Sequence, residues 1–305
     1  MITEKCMEEA AYQAITRGST NISPDVRSAF EKAIVRESNE GAKEGLERTL
    51  DSIKLAEENV LPACADTGWP IFFIKTGNSA EIEGGFMSLE EAVKNAVRRA
   101  TREGIIRKTM KDPLSGFDPG DNIGPNIPDF SYRFVPGDSL EITYCAKGGG
   151  SECFGGTRQK VVAFADGTKG IEKFVIDAFA DAARAGAICP PSVIGVGIGG
   201  TANVAANLAK EAATLRLIGS HHSDERIMEM EKRLLKGING LGFGILGAGG
   251  DTSALAVNVE YAYTHIAGIV VAISCNCMVA RRATVHIDSD NTISNREGAY
   301  WFGDR

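Results

Sequence analysis

The residues of this sequence best suited to chemistry are three of its cysteines. Cys64 lies in Pro62-Ala-Cys-Ala-Asp-Thr-Gly68, a polar stretch between a helical region and a buried strand, which is a typical position for a site residue. Cys189 stands before two prolines, and Cys275-Asn-Cys277 closes an apolar stretch that two arginines follow. Thiolates are the form of cysteine that binds metals, and nearby arginine stabilises them. The three positions therefore predict thiolate chemistry or metal binding.

The spacing of the cysteines leaves two interpretations open. The sequence has no Cys-x-x-Cys pair, which excludes a zinc ribbon and a ferredoxin-type run. Dispersed cysteines are either inert core residues or ligands that converge on one metal site in the folded chain. An odd number of cysteines, seven, in a long chain without a signal peptide argues against a disulfide framework and predicts a reducing, cytoplasmic location.

Other polar groups are weaker candidates when taken alone. Asp66 is two residues from Cys64, so its carboxylate repels a thiolate there unless a cation lies near both. His265 precedes the apolar strand that leads to Cys277, but a surface or capping role is the simpler interpretation for each of the four histidines. The glycines at 148–150 form a flexible turn that either cradles an anion or makes a tight connection.

The stretch Gly195-Val-Gly-Ile-Gly-Gly200 matches the G-x-G-x-x-G pattern between a predicted strand and a predicted helix. A dinucleotide fingerprint also needs a βαβ unit and an acidic residue about 20 residues further on. Here residues 215–219 form a weak strand at best, which runs into Ser-His-His. Close strand–helix packing is therefore the preferred interpretation, with an anion-binding helix N-terminus as a second. An NAD(P)-binding oxidoreductase and a non-catalytic scaffold stay as distant alternatives.

Composition narrows the class of partner. The formal net charge is −7 and the pI is about 5.3, with no basic block, which disfavours nucleic acid and anionic membrane surfaces as partners. An anionic substrate would therefore need arginine or lysine placed locally. The first residues lack the apolar segment of a secretory signal, and the longest apolar run, 266–280, is too short for a membrane span.

The elements that must position these residues mix irregularly along the chain. Helical spacing is found over residues 1–58, and then at 88–103, 170–186, 203–215 and 225–236. Strands are predicted at 71–75, 140–144, 161–165, 193–198, 254–259, 269–274 and 283–287. Residues 112–138 are predicted to be a long loop, either functional or part of an interface. The prediction is a mixed α/β (α+β) fold, in which an N-terminal helical segment precedes interleaved strands and helices.

Five local motifs together resemble those of the class I fumarases and L(+)-tartrate dehydratases, which are iron–sulfur hydro-lyases. The resemblance is to their alpha subunit, or N-terminal fumarase domain, and covers about residues 10–290. In the order of the family, the motifs are Pro62-Ala-Cys-Ala-Asp-Thr-Gly68, Ala146-Lys-Gly-Gly-Gly-Ser151, Ala187-Ile-Cys-Pro-Pro191, Leu215-Arg-Leu-Ile-Gly-Ser220 and Cys277-Met-Val-Ala-Arg-Arg282. The resemblance implies a single catalytic domain over 1–305, with a helical part at about 1–60 and an α/β part at about 61–290.

The resemblance also implies a cofactor and its ligands. The family holds a 4Fe–4S cluster on three cysteines and leaves one iron open to substrate, and the matching residues here are Cys64, Cys189 and Cys277. Cys275 is kept as an alternative to Cys277. The family pattern has an arginine four residues after this ligand and a histidine twelve residues before it. Arg281 and His265 satisfy both offsets for Cys277.

Further site residues follow from the resemblance position by position. Asp66 and His265 match catalytic residues, Arg107 matches an arginine that binds a substrate carboxylate, and Gly148, Gly149 and Gly150 match a glycine turn in contact with substrate. The chain has Ala65 where the family often has glutamine and Met278 where it often has tryptophan. Both departures concern the identity of the substrate.

The activity implied is the reversible hydration of fumarate to L-malate, with the cluster as Lewis acid. The alternative is dehydration of L(+)-tartrate to oxaloacetate, or of a related hydroxy-dicarboxylate. The expected partner is a separate, smaller beta subunit, equivalent to the C-terminal fumarase domain, which completes the active site. The expected assembly is a homodimer of alpha–beta pairs, and the 112–138 loop is a candidate interface.

Overall fold

The fold is described from a computed structural model, which covers residues 1–153, 155–296 and 301–302. The chain divides into two compact units, each assembled from separate stretches of sequence. The first takes in Met1–Pro24, Ser52–Lys147 and the described residues of Arg281–Ala299. The second takes in Asp25–Asp51, Gly148–Ala280 and the described residues of Tyr300–Arg305. The prediction of a single catalytic domain stays a prediction.

Three N-terminal helices precede interleaved helices and strands, and four strands follow the last α-helix, which confirms the predicted mixed α/β class. The helices are α1 (Glu4–Thr20), α2 (Pro24–Arg36), α3 (Glu40–Glu58), α4 (Gly85–Arg102), α5 (Gly149–Cys153), α6 (Gly167–Arg184), α7 (Ala202–Leu215) and α8 (Glu225–Asn239), with short 3-10 turns at Phe164–Asp166 and Ile245–Gly247. The strands are β1 (Trp69–Gly77), β2 (Asp129–Val135), β3 (Leu140–Lys147), β4 (Thr157–Val162), β5 (Ser192–Ile198), β6 (Ala254–Tyr261), β7 (Ile269–Asn276), β8 (Arg281–Ile287) and β9 (Ile293–Arg296). Among these helices, none combines the length and the apolarity needed to cross a membrane.

The first unit is a five-stranded sheet with helices α1 and α4 packed on one face. The strand order is β2-β1-β3-β8-β9, in which only the β1–β2 pair is parallel. Alternate residues of the central strands, such as Phe72, Ile142 and Val285, point into the core beneath these helices. Small residues along α1, among them Ala10 and Ala14, let that helix lie close to the sheet. The start of β1, the end of β3 and the start of β8 lie next to one another at one end of this sheet.

The second unit is a four-stranded sheet, in the order β4-β7-β5-β6, covered by helices on both faces. Ile194 and Val196 of β5 face a core that also contains residues of α6 and α8. Gly195 and Gly197 face α7, where a Cβ atom would lie 2.0 Å from the carbonyl oxygens of Ala209 and Ala205 respectively. The glycines of the G-x-G-x-x-G match are thus explained by close strand–helix packing, the preferred interpretation of the sequence.

Several predicted elements change in extent. Helix α4 begins at Gly85, earlier than the predicted start at residue 88, so Ser88 lies inside it and its hydroxyl donates to Glu4. The predicted loop 112–138 contains strand β2, whose alternating Phe130, Tyr132 and Phe134 are flanked by proline and glycine. Strand β4 ends at Val162, earlier than predicted, and β9 was not predicted. The misplaced or missed strands β2, β4 and β9 lie at sheet edges, where a short strand is specified by its pairing more than by its own sequence.

A buried ion network explains one of the family-like motifs, Leu215-Arg-Leu-Ile-Gly-Ser220. The Nη1 atom of Arg216 donates to Glu231 Oε1 at 3.0 Å and to Glu260 Oε1 at 3.2 Å, and all three side chains are buried. Glu231 Oε1 also accepts from the backbone N–H of Val259 at 2.9 Å. The arginine therefore joins α8 to β6 and neutralises carboxylates that would be costly to bury alone.

Replacing this arginine should destabilise the protein strongly. We expect Arg216→Met to lower the free energy of unfolding by about 3–5 kcal/mol, because it leaves Glu231 and Glu260 buried without their cation. Urea unfolding followed by circular dichroism measures the change. Arg48→Met is the matched control, since Arg48 pairs with Glu44 on an exposed helix surface and should leave the urea midpoint unchanged. Equal midpoints for the two variants would contradict the assignment.

Candidate functional site

In the first unit, the candidate site is built on residues 62–68, called here the Cys64 turn. The turn leads directly into β1. The N–H of Ala63 donates to Ser19 O at 2.9 Å, and Asp66 Oδ1 accepts from the N–H of Gly68 at 3.1 Å. Gly68 has φ +79°, and a Cβ there would lie 2.6 Å from Lys147 O. Glycine is therefore required where the turn passes the end of β3, and the turn has a fixed shape although it is neither helix nor strand.

Arg107 lies against the Cys64 turn, and its predicted binding of a substrate carboxylate stays a prediction. Its backbone N–H donates to Thr67 Oγ1 at 3.0 Å, and its Nη1 donates to Ala65 O at 2.8 Å. The side chains of Arg107 and Asp66 are both exposed, so both are accessible to a small molecule. The fold thus brings a guanidinium and a carboxylate to the turn that carries Cys64.

Two buried cations also belong to this region of the first unit. Arg281, which begins β8, is 1% exposed, and its Nη2 donates to the backbone oxygen of Asp66 at 2.7 Å. Lys147 ends β3 and is fully buried. Arg107 and Arg281 thus place positive charge beside the turn in a chain whose net charge is negative. Sequence reasoning considered Arg281 only as a neighbour of Cys277 and assigned no role to Lys147.

In the second unit, the Cys277 and Cys189 segments lie side by side. Cys277 follows the last residue of β7, and the N–H of Met278 donates to Cys189 O at 3.0 Å. The Cys277 N–H donates to Asn276 Oδ1 at 3.0 Å, and Cys189 is exposed. Cys275 differs in position because it is 1% exposed and lies within the strand, in the apolar core. Cys277 is also buried, at 8% exposed, but it follows the strand, so Cys277 and Cys189 lie at one end of the sheet and Cys275 lies within it.

The predicted glycine turn packs on the Cys189 segment. Gly149 begins the five-residue helix α5, and Gly148 O accepts from the N–H of Glu152 at 3.1 Å. A Cβ at Gly150 would lie 2.3 Å from the carbonyl oxygen of Ala187, two residues before Cys189. Gly150 is therefore needed for close approach of two backbones. Its predicted contact with substrate stays a prediction.

His265 lies at the other end of β7 from Cys277. It is exposed in the turn before the strand, and its Nδ1 accepts from the N–H of Ala267 at 3.1 Å. The intervening strand has eight residues, which at about 3.3 Å per residue separate the two positions by roughly 26 Å. The fold of the second unit thus does not bring His265 to Cys277, and its predicted catalytic role stays a prediction.

A metal centre formed by three or more histidine, cysteine, aspartate or glutamate side chains is absent from residues 1–153, 155–296 and 301–302. All seven cysteines are free thiols. The thiols required for metal ligation are therefore present, one at the Cys64 turn of the first unit and two in the Cys189 and Cys277 segments of the second.

Comparisons with known proteins agree on one family. A family model described as fumarate hydratase (fumerase) matches residues 8–286. A provisionally named L(+)-tartrate dehydratase subunit alpha of Methanocaldococcus jannaschii is 42% identical over 271 residues, which are 87% of this chain and 92% of that protein. The L(+)-tartrate dehydratase subunit alpha of Escherichia coli K12 is 33% identical over 91% of this chain and 89% of its own length.

One further relative has a different length. A provisionally named class I fumarate hydratase of Geobacillus stearothermophilus is 33% identical over 294 residues. These residues are 92% of this chain and 54% of that protein, so the chain spans about half the length of this relative.

The contact between Gly150 and Ala187 generates a prediction. We expect Gly150→Ala to destabilise the protein by about 1–3 kcal/mol, since the added methyl group must displace the backbone that leads to Cys189. Thermal unfolding measures the loss. Gly124→Ala is the control, because a Cβ at Gly124 meets no atom within 4 Å. If the two variants melt at the same temperature, the close approach at Gly150 is not a constraint on the fold.

Proposed function

The chain belongs to the fumarate hydratase family, and on that premise we propose that it is the alpha subunit of an iron–sulfur hydro-lyase that interconverts fumarate and L-malate. The observation that carries the proposal is the Cys64 turn, where Asp66 and Arg107 flank a cysteine on a rigid backbone. A thiol, a carboxylate and a guanidinium together suit the binding of a metal and a dicarboxylate.

The cluster proposed is a 4Fe–4S cluster held by Cys64, Cys189 and Cys277. The donor set fits this cofactor, because all three are free thiols in turns next to strand ends. Arg107 and Arg281 donate to backbone oxygens of the Cys64 turn, so positive charge lies beside the proposed ligand. When bound, such a cluster supplies a Lewis acid for the hydroxyl and carboxylate oxygens of the substrate.

The residues of the Cys64 turn have distinct proposed roles. Arg107 uses Nη1 on Ala65 O, and its other N–H groups would bind a substrate carboxylate. Asp66 is an exposed carboxylate whose orientation is set by the Gly68 N–H, and it would take up or deliver a proton at the substrate. Its position two residues from Cys64 would keep that proton transfer beside the metal.

Dehydration of L(+)-tartrate to oxaloacetate is the second candidate function. The relatives from Methanocaldococcus jannaschii and Escherichia coli carry that name and match nearly the full length of this chain. Tartrate differs from malate by one hydroxyl group, and discrimination of one such group depends on a few polar contacts. Ala65, where the family often has glutamine, is one position in this chain that would bear on the choice.

A separate beta subunit is the proposed partner, in a homodimer of alpha–beta pairs. The support is that relatives of matching length are named as alpha subunits, whereas the class I fumarate hydratase relative is nearly twice as long. A candidate contact is the turn at 112–117, which Asp112 closes by accepting from the N–H groups of Leu114 and Ser115. This turn displays Leu114 and Phe117 to solvent. A cytoplasmic location is also proposed, since free thiols persist in reducing compartments.

The cluster ligands can be tested by a pair of neighbouring substitutions. We expect Cys277→Ser to lose most of its iron and sulfide after anaerobic reconstitution, because it removes a thiolate ligand. Cys275→Ser should retain both, since Cys275 lies in the apolar core. Iron and acid-labile sulfide per chain are the measurements. Loss of the cluster in the Cys275 variant alone would show that Cys275, and not Cys277, is the ligand.

The reaction can be tested by producing the chain anaerobically with its small partner subunit. Fumarate, L-malate and L(+)-tartrate would be assayed side by side, and we expect turnover of fumarate and L-malate. Activity on tartrate alone would favour the second candidate, and no activity on any of them in cluster-loaded protein would overturn the hydro-lyase proposal.

The role of Asp66 is tested in the same assay. Asp66→Asn should lower kcat by about 10²–10⁴-fold and leave the iron content unchanged, because it removes only the proton-transferring group. Asp290→Asn is the control, since Asp290 is an exposed aspartate that likewise accepts from an N–H two residues ahead. An Asp66 variant with normal kcat would remove Asp66 from the catalytic residues.

A further inference from the structure

Arg281 is a buried cation whose hydrogen-bonding capacity is only partly used. Its side chain is 1% exposed, and it is the largest of the fully buried side chains in the described part of the chain. Nη2 donates to Asp66 O at 2.7 Å, but Nε and Nη1 have no hydrogen-bond partner among residues 1–153, 155–296 and 301–302. Buried charges and donors are costly unless they are paired, so these N–H groups indicate a missing acceptor.

The surroundings of Arg281 indicate that the missing acceptor is an anion beside the Cys64 turn. In the strand register, Arg281 pairs with Ala146, and Lys147 pairs with Trp69. Both basic residues and the turn therefore lie at the same ends of the central strands. The N–H groups of the Arg281 guanidinium that lack a partner in the described part of the chain would repel a further cation there. The local field therefore favours a ligand with negative charge.

We propose that Arg281 is a positioning residue for the cluster. It fixes the Cys64 turn through Asp66 O and donates its remaining N–H groups to the resident anion, which is the Cys64 thiolate with the sulfur atoms of the bound cluster. The proposal rests on the proposed function. A resident anion is preferred to a substrate carboxylate because the Arg281 side chain is almost fully buried. Arg107, which contacts the same turn, is exposed and suited to a ligand that exchanges.

Two effects are expected when this arginine is changed. Hydrogen bonds to cluster sulfur and nearby positive charge both set the potential of an iron–sulfur cluster. Groups that support metal ligands typically contribute 10–100-fold to metal retention. Arg281→Met removes both the charge and the donors, whereas Arg281→Lys keeps the charge but loses the forked geometry.

The test uses the full chain, reconstituted anaerobically with iron and sulfide, as wild type, Arg281→Met, Arg281→Lys and Lys75→Met. The last is the matched control. Lys75 is also a largely buried cation of β1, but it lies toward the far end of that strand and pairs with Glu141 at 3.7 Å. The measurements are the half-life of the visible cluster absorbance in the presence of a chelator, the midpoint potential of the cluster, and the thermal stability of the iron-free chain.

For Arg281→Met we expect a cluster half-life about 10–100-fold shorter than that of wild type and a more negative midpoint potential. The Lys variant should keep the wild-type potential, with an intermediate half-life, and Lys75→Met should change neither. The iron-free Arg281→Met chain should melt no lower than wild type, since it no longer buries an incompletely paired charge. A purely structural role would instead lower the stability of the iron-free chain and leave the potential unchanged.

The outcomes separate this inference from the proposed function. Wild-type half-life and potential in Arg281→Met would overturn the role of Arg281 while the hydro-lyase stands. A raised KM for fumarate, measured with the small partner subunit present, together with an unchanged cluster would identify the acceptor as a substrate carboxylate, which also overturns the proposal. If the Met variant does not fold, the cluster half-life of the Lys variant decides, and a wild-type half-life there would overturn the role of Arg281. A wild-type chain that takes up no cluster would overturn both the function and the inference.

Discussion

The candidate site depends on the fixed shape of the Cys64 turn, residues 62–68. Its backbone is held at several points, through Ser19 O, Thr67 Oγ1 and the carbonyl oxygens that receive Arg107 and Arg281. An irregular segment needs such partners because the hydrogen bonds of a helix or a β-sheet do not satisfy its backbone N–H and C=O groups. The two arginines therefore stabilise the shape of the turn as well as placing positive charge beside it. The side chains of the turn consequently have defined positions.

The second unit uses a different device to position its cysteines. Cys277 is placed by the end of a buried strand, and Cys189 is joined to it through the Met278 N–H. Gly150 then packs directly against the backbone before Cys189. Groups placed by strand ends and close backbone contacts are held more accurately than groups on free loops. In both units, glycine is required where one backbone must pass another.

Some sequence features that look functional have structural causes. Gly195 and Gly197 allow α7 to lie against β5, and Arg216 neutralises Glu231 and Glu260 inside the second unit. Glycine and arginine also occur at or beside the Cys64 turn, where they shape the candidate site and do not only support the fold. The difference lies in the surroundings: Arg216 donates to two carboxylates of its own unit and has one nitrogen, Nη2, without a partner in the described part of the chain. Arg281 donates to a backbone oxygen and has two such nitrogens, Nε and Nη1.

The sequence by itself determined the elements with strong local signals and the residues of the Cys64 turn. Helices α6, α7 and α8 and strands β5 to β8 follow from the spacing of apolar residues, which reflects contacts with a core on one side or both. Only the tertiary structure decided which residues meet. It brought Arg107 to Thr67 across 40 residues and Arg281 to Asp66 across 215, and it separated His265 from Cys277 by a whole strand. Those outcomes depend on strand order and pairing, which are long-range interactions that no local pattern encodes.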